Sequence, residues 1–266
     1  VYKKIQDVNS DLSSLTYGSY LQVQKLLSLQ KFQSPNMEHD ELLFIVIHQV
    51  YELWFKQIIH ELLALRRNIV ENLQHNILLS LKRVINILKV IVLQSDVLET
   101  MGPLSFLSFR VYLGKASGFQ SAQFREFEFL LGFKNEKYLN NKLFSKEENK
   151  RLIARFNEPS IWEDFISYFS LAVGDNVSEI TGQELTKTHE MLIYIYKNPS
   201  IYTEIAELIV DIDEGLQEWR YRHVKMVERT IGGDKIGTGG SSGVEYLKKS
   251  LFKSFCPELW EIRSYF

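Results

Sequence analysis

The stretch "DELLFIVIHQVYELWFKQIIHELLALRRNIVEN", residues 40–72, contains neither glycine nor proline. Asp40 is a fitting N-cap, and the first turns that follow are apolar almost all round, which is the pattern of a helix buried in a core. The alternation expected of a strand, with β-branched residues between turn clusters, is absent here and hard to find elsewhere. This stretch therefore predicts a long central helix, and the remaining segments have to pack around it.

Working outward, a second helix is expected from about Asn76 to Thr100, stopped by Gly102-Pro103. A third spans Ser200 to Ile231, where Ile205, Leu208, Ile209, Ile212, Leu216, Trp219, His223, Val227 and Ile231 recur every three or four residues. Ser145 with Glu148 and Ser160 with Glu163 have capping-box spacing and mark two shorter helices. These fall in a more polar stretch, 133–198, expected to be peripheral. No internal repeat, low-complexity tract or long linker divides the chain. The sequence thus predicts an all-α fold in one domain over residues 1–266.

Charge and cysteine content narrow the function. With 31 basic and 33 acidic residues the chain is nearly neutral, so no general attraction to nucleic acid or to an anionic membrane is expected. The single cysteine, Cys256, excludes an intramolecular disulfide framework and a thiolate-built zinc site, and it fits a reducing cytoplasm. No uninterrupted apolar run approaches the roughly 18–20 residues of a membrane span, and the opening "VYKKIQDVNSDLSS" lacks the apolar core of a signal peptide.

Three features carry chemistry. The loop "GTGGSSG", residues 237–243, has a P-loop's glycine spacing from Gly232 to Gly237, but Thr238 and Gly239 stand where Lys and Ser/Thr belong. It reads better as a mobile lid whose glycines allow close approach to a ligand. His223 lies on the apolar stripe of the last long helix. A histidine so placed is ordinarily a core residue bonded to a carbonyl, yet His48 sits equally deep in the central helix, with Phe44 one turn before it. Two such histidines could face opposite sides of a flat metal cofactor. Zinc is the competing metal, but HExxH is absent, since neither His60-Glu61 nor His189-Glu190 is followed by a second histidine at that spacing. Arg110 stands among Phe106, Leu107, Phe109, Val111 and Leu113; it either snorkels to the surface or grips an anion, and a ligand carboxylate would suit its planar fork.

Four segments resemble the tryptophan 2,3-dioxygenase family in order and spacing: "LTYGSYLQVQKLL", "HDELLFIVIHQVYELWFKQIIHEL", "VLETMGPLSFLSFRVYLGKASGFQSAQFREFEFLLG" and "WRYRHVKMVERTIGGDKIGTGGSSGVEYLKKSLFKSFCPELWEIRS". The likeness covers nearly the whole chain and is thin between about 133 and 205. It implies a helical, cytoplasmic, tetrameric haem b enzyme that inserts both atoms of O2 across the indole C2–C3 bond of L-tryptophan to give N-formyl-kynurenine. It implies that His223 is the proximal iron ligand, that His48 accepts the indole N–H and that Arg110 clamps the carboxylate. Phe44 and Phe106 would pack on the indole, Ser117 would line the same side, and Thr238 would reach the ammonium group. Tyr17 and Leu21 would close the pocket of a neighbouring subunit. Two departures stand out: Phe106 replaces a tyrosine found in some bacterial relatives, and the chain between His223 and Thr238 is one residue longer than in some. A haem-binding sensor that lost turnover, or an oxygenase of another indole, are the alternatives on this reading.

Overall fold

The computed structural model describes residues 15–174, 185–233 and 244–266. Among them every regular element is helical: α1 (Tyr17–Tyr20), α2 (Val23–Leu27), α3 (His39–Val70), α4 (Gln74–Leu98), α5 (Pro103–Arg110), α6 (Ala122–Leu130), α7 (Lys146–Asn157), α8 (Ile161–Val173), α9 (Lys187–Lys197), α10 (Ile201–Ile231), α11 (Val244–Lys248) and α12 (Pro257–Glu261), with short 3-10 turns between some of them. The all-α expectation holds.

Helix α4 packs against both α3 and α10, and this trio forms the frame. Ile58, Leu62 and Leu65 of α3 meet Ile77, Val84 and Ile91 of α4 and Ile205 and Leu216 of α10, all with no exposed surface to within 1%. Burying one such side chain is worth about 1.5–3 kcal/mol, so the seam dominates the apolar stabilisation of the molecule. Except for Leu208, which is partly buried, the stripe foreseen on α10 is buried from Ile205 to Trp219, whereas His223, Val227 and Ile231 are only partly buried. These last turns leave the seam and line a cavity instead.

Some boundaries and roles differ from expectation. Helix α3 starts two residues earlier than an Asp40 N-cap implies, with Glu38 at the N-cap and no side-chain cap bond. Asp40 lies inside the first turn, its carboxylate 3.0 Å from His39 Nδ1, where it faces the positive end of the helix dipole. The neighbouring Glu41 is buried and turns back to accept from Gln33 N, Ser34 N and the Ser34 hydroxyl, pinning the preceding loop. Gly102-Pro103 does follow α4, with Pro103 opening α5 at a position where its missing N–H costs nothing. Both capping boxes form, at Ser145/Glu148 and Ser160/Glu163. The stretch expected to be peripheral nevertheless sends Phe165 and Phe169 of α8 and Leu192 of α9 fully into the main core.

Helix α3 also reaches the length and mean apolarity of a membrane span, which a search for uninterrupted apolar runs misses. Glu41, Glu52 and Glu61 punctuate it, and it packs against α4, α6 and α8, the behaviour of a core helix. The C-terminal segment is fastened by Asp213 of α10, which accepts from Phe255 N at 3.0 Å, from Trp260 Nε1 at 2.8 Å and from Gln217 Nε2. That fastening brings residues 247–253 to the rim of the cavity.

Candidate active site

A cavity of about 990 Å³ opens between α3, α5, α6 and α10, at the upper end of the size range of small-molecule and cofactor sites. Three helices each present residues four apart, hence on one face: Phe44 and His48 from α3, Phe106 and Arg110 from α5, Trp219 and His223 from α10. Ser117 lines the same space, and its hydroxyl caps the short turn Gly118–Gln120 by accepting from Phe119 N at 3.4 Å. The described site residues expected within one chain thus meet in one place.

On the α3 and α5 side the wall is apolar and rigid. Phe44 lies 5.8 Å from Phe106 and 5.6 Å from Phe109 between ring centroids, and Ile47, Leu98, Met101 and Met226 complete a small cluster behind them. His48 packs 4.1 Å from Phe44 and places Nδ1 2.7 Å from the Phe44 carbonyl. A carbonyl only accepts, so Nδ1 carries the proton and Nε2 is left as an acceptor. Burial holds the His48 pKa below its ordinary value and favours this neutral form.

His223 is held differently. Its ring stacks on Trp219 with centroids 5.5 Å apart and planes within 5°, and no hydrogen bond to its ring nitrogens occurs among the described residues. Burial, with smaller contributions from the charges of His48 and Arg125, pushes its pKa down to about 4. The imidazole is therefore neutral near pH 7, with a lone pair available to a metal. Its neighbour Arg222 pairs with Asp96 and with Glu99 of the α4 end, tying this part of α10 to α4.

A bare metal ion would need several protein donors, and no group of three or more His, Cys, Asp or Glu suited to one occurs among the described residues. A metal carried inside a flat apolar macrocycle needs only one, and the cavity supplies a neutral His223, aromatic walls and a second histidine, His48, whose Nδ1 is committed to the Phe44 carbonyl and whose Nε2 is free to accept. Two further polar groups bear on that fit. Arg125 of α6 and Arg220 of α10 line the cavity, are 7% and 4% exposed, and each leaves a buried Nε with no acceptor among the described residues. Sequence reasoning passed over both, although they stand inside "FREFEF" and one turn before His223. Trp219 was legible only as part of the apolar stripe.

Two expected site residues, Tyr17 and Leu21, do not line this cavity. Tyr17 and Leu21 are 79% and 44% exposed on the N-terminal turns, which bury no residue of their own. Thr238 and the glycine loop 237–243 lie outside the described residues.

The geometry can be set beside known proteins. A family model described as tryptophan 2,3-dioxygenase matches residues 3–167 and 176–266. The tryptophan 2,3-dioxygenase of Herpetosiphon aurantiacus is 49% identical over 258 residues, covering 94% of this chain and 98% of that protein. Those of an Anaeromyxobacter species and of a Bacillus cereus strain are 45% and 40% identical, over 97% and 94% of this chain and 98% and 92% of theirs. Likeness of this degree, end to end and through every helix that builds the cavity, means that the chain belongs to the tryptophan 2,3-dioxygenase family.

Proposed function

We propose that the cavity is the reaction chamber of a haem-dependent dioxygenase that converts L-tryptophan and O2 to N-formyl-L-kynurenine, with haem b held by His223. The observation that carries this reading is the His48 Nδ1 bond to the Phe44 carbonyl. It leaves an unprotonated ring nitrogen in a cavity shared with Arg110 and with a neutral His223. An acceptor for an indole N–H, a clamp for a carboxylate and a ligand for iron then stand around one space.

Bound there, ferrous haem would supply the O2 chemistry that no side chain can perform. The chain's own residues orient and enclose. Arg110, at the C-terminal end of α5, offers a planar fork to the substrate carboxylate. Phe44 and Phe106 give the indole two aromatic faces, and His48 Nε2 accepts the indole N–H, which fixes the ring's rotation. Since indole is electron-rich, this histidine serves as a positioning acceptor and no strong general base is required. Ser117 lines the same side, and Thr238 reaches for the substrate ammonium from the glycine loop. The apolar wall excludes water that would compete for the iron. Tyr17 and Leu21 complete the site of a neighbouring subunit in a homotetramer, and buried Cys256 suits a reducing, cytoplasmic setting.

The deciding experiment is an optical spectrum of the reduced protein with and without L-tryptophan, coupled to N-formyl-kynurenine absorbance. Wild type is expected to show a histidine-ligated haem spectrum that shifts with tryptophan, and to turn over. His223→Ala is expected to be haem-poor or spectrally altered and inactive. Full haem content and turnover in that variant would remove His223 as the ligand. Haem binding without product would favour a sensor.

A further inference from the structure

The cavity-lining residues that are themselves exposed mark its openings. Ala116 and Gly118 mark one, beside Ser117. Gly132, Asn135 and Lys137 of one loop, with Lys249 and Lys253 of the C-terminal segment, mark a second. Arg220 joins the two sides of this second opening. Its guanidinium lies 4.3 Å over the Phe133 ring, and its Nη1 donates to the carbonyls of Ser250 and Lys253 at 3.5 and 3.2 Å.

Between those two carbonyls stands Phe252, 84% exposed, with φ at +59°. A left-handed backbone suits glycine, and a bulky side chain held there is strained. The turn is nonetheless fixed on both sides. Ser250 N and Leu251 N donate to the carbonyls of Leu247 and Lys248, each at 3.0 Å, and Phe255 N donates to Asp213. An aromatic ring gains nothing from water, so the chain gives up stability at this position to hold a ring out in solvent. Strain of this kind persists where the surroundings enforce it, and it gathers at functional sites. Lys249 and Lys253 flank the ring, both exposed, and neither ammonium group has an ion pair among the described residues, whereas Lys248 is bridged to Glu245. A fixed aromatic ring between unpaired cations has the build of an interface anchor.

An acidic protein face fits this anchor, with carboxylates for the lysines and a pocket for the ring. A lipid surface fits it less well, because Leu247 and Leu251 are partly buried and leave one ring to enter it. The place of the patch says what such a partner would do. The reaction proposed above puts both atoms of O2 into the product and so consumes no electrons overall. Iron that has slipped to the ferric state therefore regains no electron from turnover and stays idle until a donor supplies one.

We propose that Phe252, Lys249 and Lys253 dock an acidic one-electron carrier, a reduced flavin protein, which returns the iron from ferric to ferrous. This assignment rests on the haem reading above. The carrier loses one electron and the iron gains it, with no bond made or broken. The route is short: Arg220 touches the carbonyls on either side of Phe252 and stands three residues, about one helical turn, before His223. A patch this small suits a transient encounter, the class to which redox pairs belong, and an occasional need for one electron asks for nothing tighter.

The test follows reduction of the iron rather than turnover. Full-length protein loaded with ferric haem is mixed in a stopped-flow cell with flavodoxin hydroquinone, an acidic carrier, and the change to ferrous is read in the Soret band. Reduced riboflavin, small and without a protein surface, is the control donor. In wild type the flavodoxin rate should fall steeply as ionic strength rises. Lys249→Glu combined with Lys253→Glu should slow it about tenfold or more, because like charges then meet at the interface. Phe252→Gly, which relieves the backbone and is gentle on folding, should slow it several-fold. Both variants should keep the wild-type haem spectrum and riboflavin rate. A flavodoxin rate indifferent to salt, or one unchanged in both variants, overturns the docking site. So does a smaller assembly for Phe252→Gly by native mass measurement, which would give the ring to a neighbouring copy. Binding to phosphatidylglycerol vesicles that Phe252→Gly abolishes, while its flavodoxin rate holds, overturns it in favour of a membrane. A wild-type chain that takes up no haem overturns the haem reading itself, and the docking site with it.

Discussion

His48 is where one hydrogen bond decides a role. With Nδ1 committed to the Phe44 carbonyl, only Nε2 is left for a substrate, and in the neutral ring it can serve only as an acceptor. Burial lowers the folded pKa below the ordinary 6.5, so the acceptor form is fully present above that value and is lost only as pH falls through the lower, folded value. The KM for L-tryptophan should therefore stay level from about pH 8 to about 6.5 and rise only below that. His48→Ala should lose this acidic limb, keep its haem, and cost about 0.5–1.5 kcal/mol, a few-fold to about tenfold in kcat/KM. A limb centred at or above 6.5 in wild type, or the same limb in the variant, would take the acceptor role from His48. At this scale the sequence was informative in three ways: His48, with Phe44 one turn before it, and His223 were visible by helical spacing, Arg110 stood out by its apolar neighbours, and the role of Phe106 came from the family resemblance. Arg125 and Arg220 stood out in none of these ways. In "FREFEF" an arginine beside acids reads as a solvated helix face, and nothing local reveals that its partner carboxylate is shared with a residue 95 positions further on.

At the scale of elements, α4 and α10 cross closely enough to use a glycine at the contact. Gly215 lies mid-helix on α10, and a Cβ built there would meet Leu88 Cβ and Cδ1 at 3.5 Å, an ordinary van der Waals distance. Glycine inside a helix is worse than alanine by about 0.5–1 kcal/mol, and the added methyl also buries apolar surface. Gly215→Ala should raise the unfolding midpoint in urea by an amount corresponding to about 0.5–1 kcal/mol, with the haem spectrum unchanged. A lowered midpoint would mean that the α4–α10 seam cannot give even a few tenths of an ångström. The long helices were legible because a 3.6-residue period sustained over many turns has no competing reading. Helix α8 was recognised by its capping box, but its place in the core was not: Trp162, Phe165 and Phe169 are buried against other elements, including α3, which packing reveals and composition does not.

For the whole molecule, the telling surface is the one left apolar. Tyr17, Tyr20 and Leu27 on the N-terminal turns are 79%, 70% and 67% exposed, and Leu104 and Val111, flanking the cavity's α5 residues, are 81% and 75% exposed. An N-terminal segment that buries nothing of its own while holding a capped turn at Thr16 and Ser19 is shaped before it docks. Docked beside a neighbour's α5, it would cover Leu104 and Val111 and bring Tyr17 and Leu21 to that neighbour's pocket. If so, activity depends on residues from two chains, and the defects of two inactive variants should complement. Tyr17→Ala and His223→Ala, each weakly active or inactive alone, should regain activity when mixed, unfolded and reassembled together, because some sites in the mixed oligomer combine an intact His223 from one chain with an intact Tyr17 from another. For random mixing in equal amounts, a Tyr17→Ala chain supplies the iron ligand and meets a His223→Ala neighbour carrying the tyrosine about half the time, so about a quarter of all sites should be whole. Mass measurement of the assemblies checks that mixing occurred. Mixed oligomers with no gain in N-formyl-kynurenine formation would mean that each pocket is built by one chain.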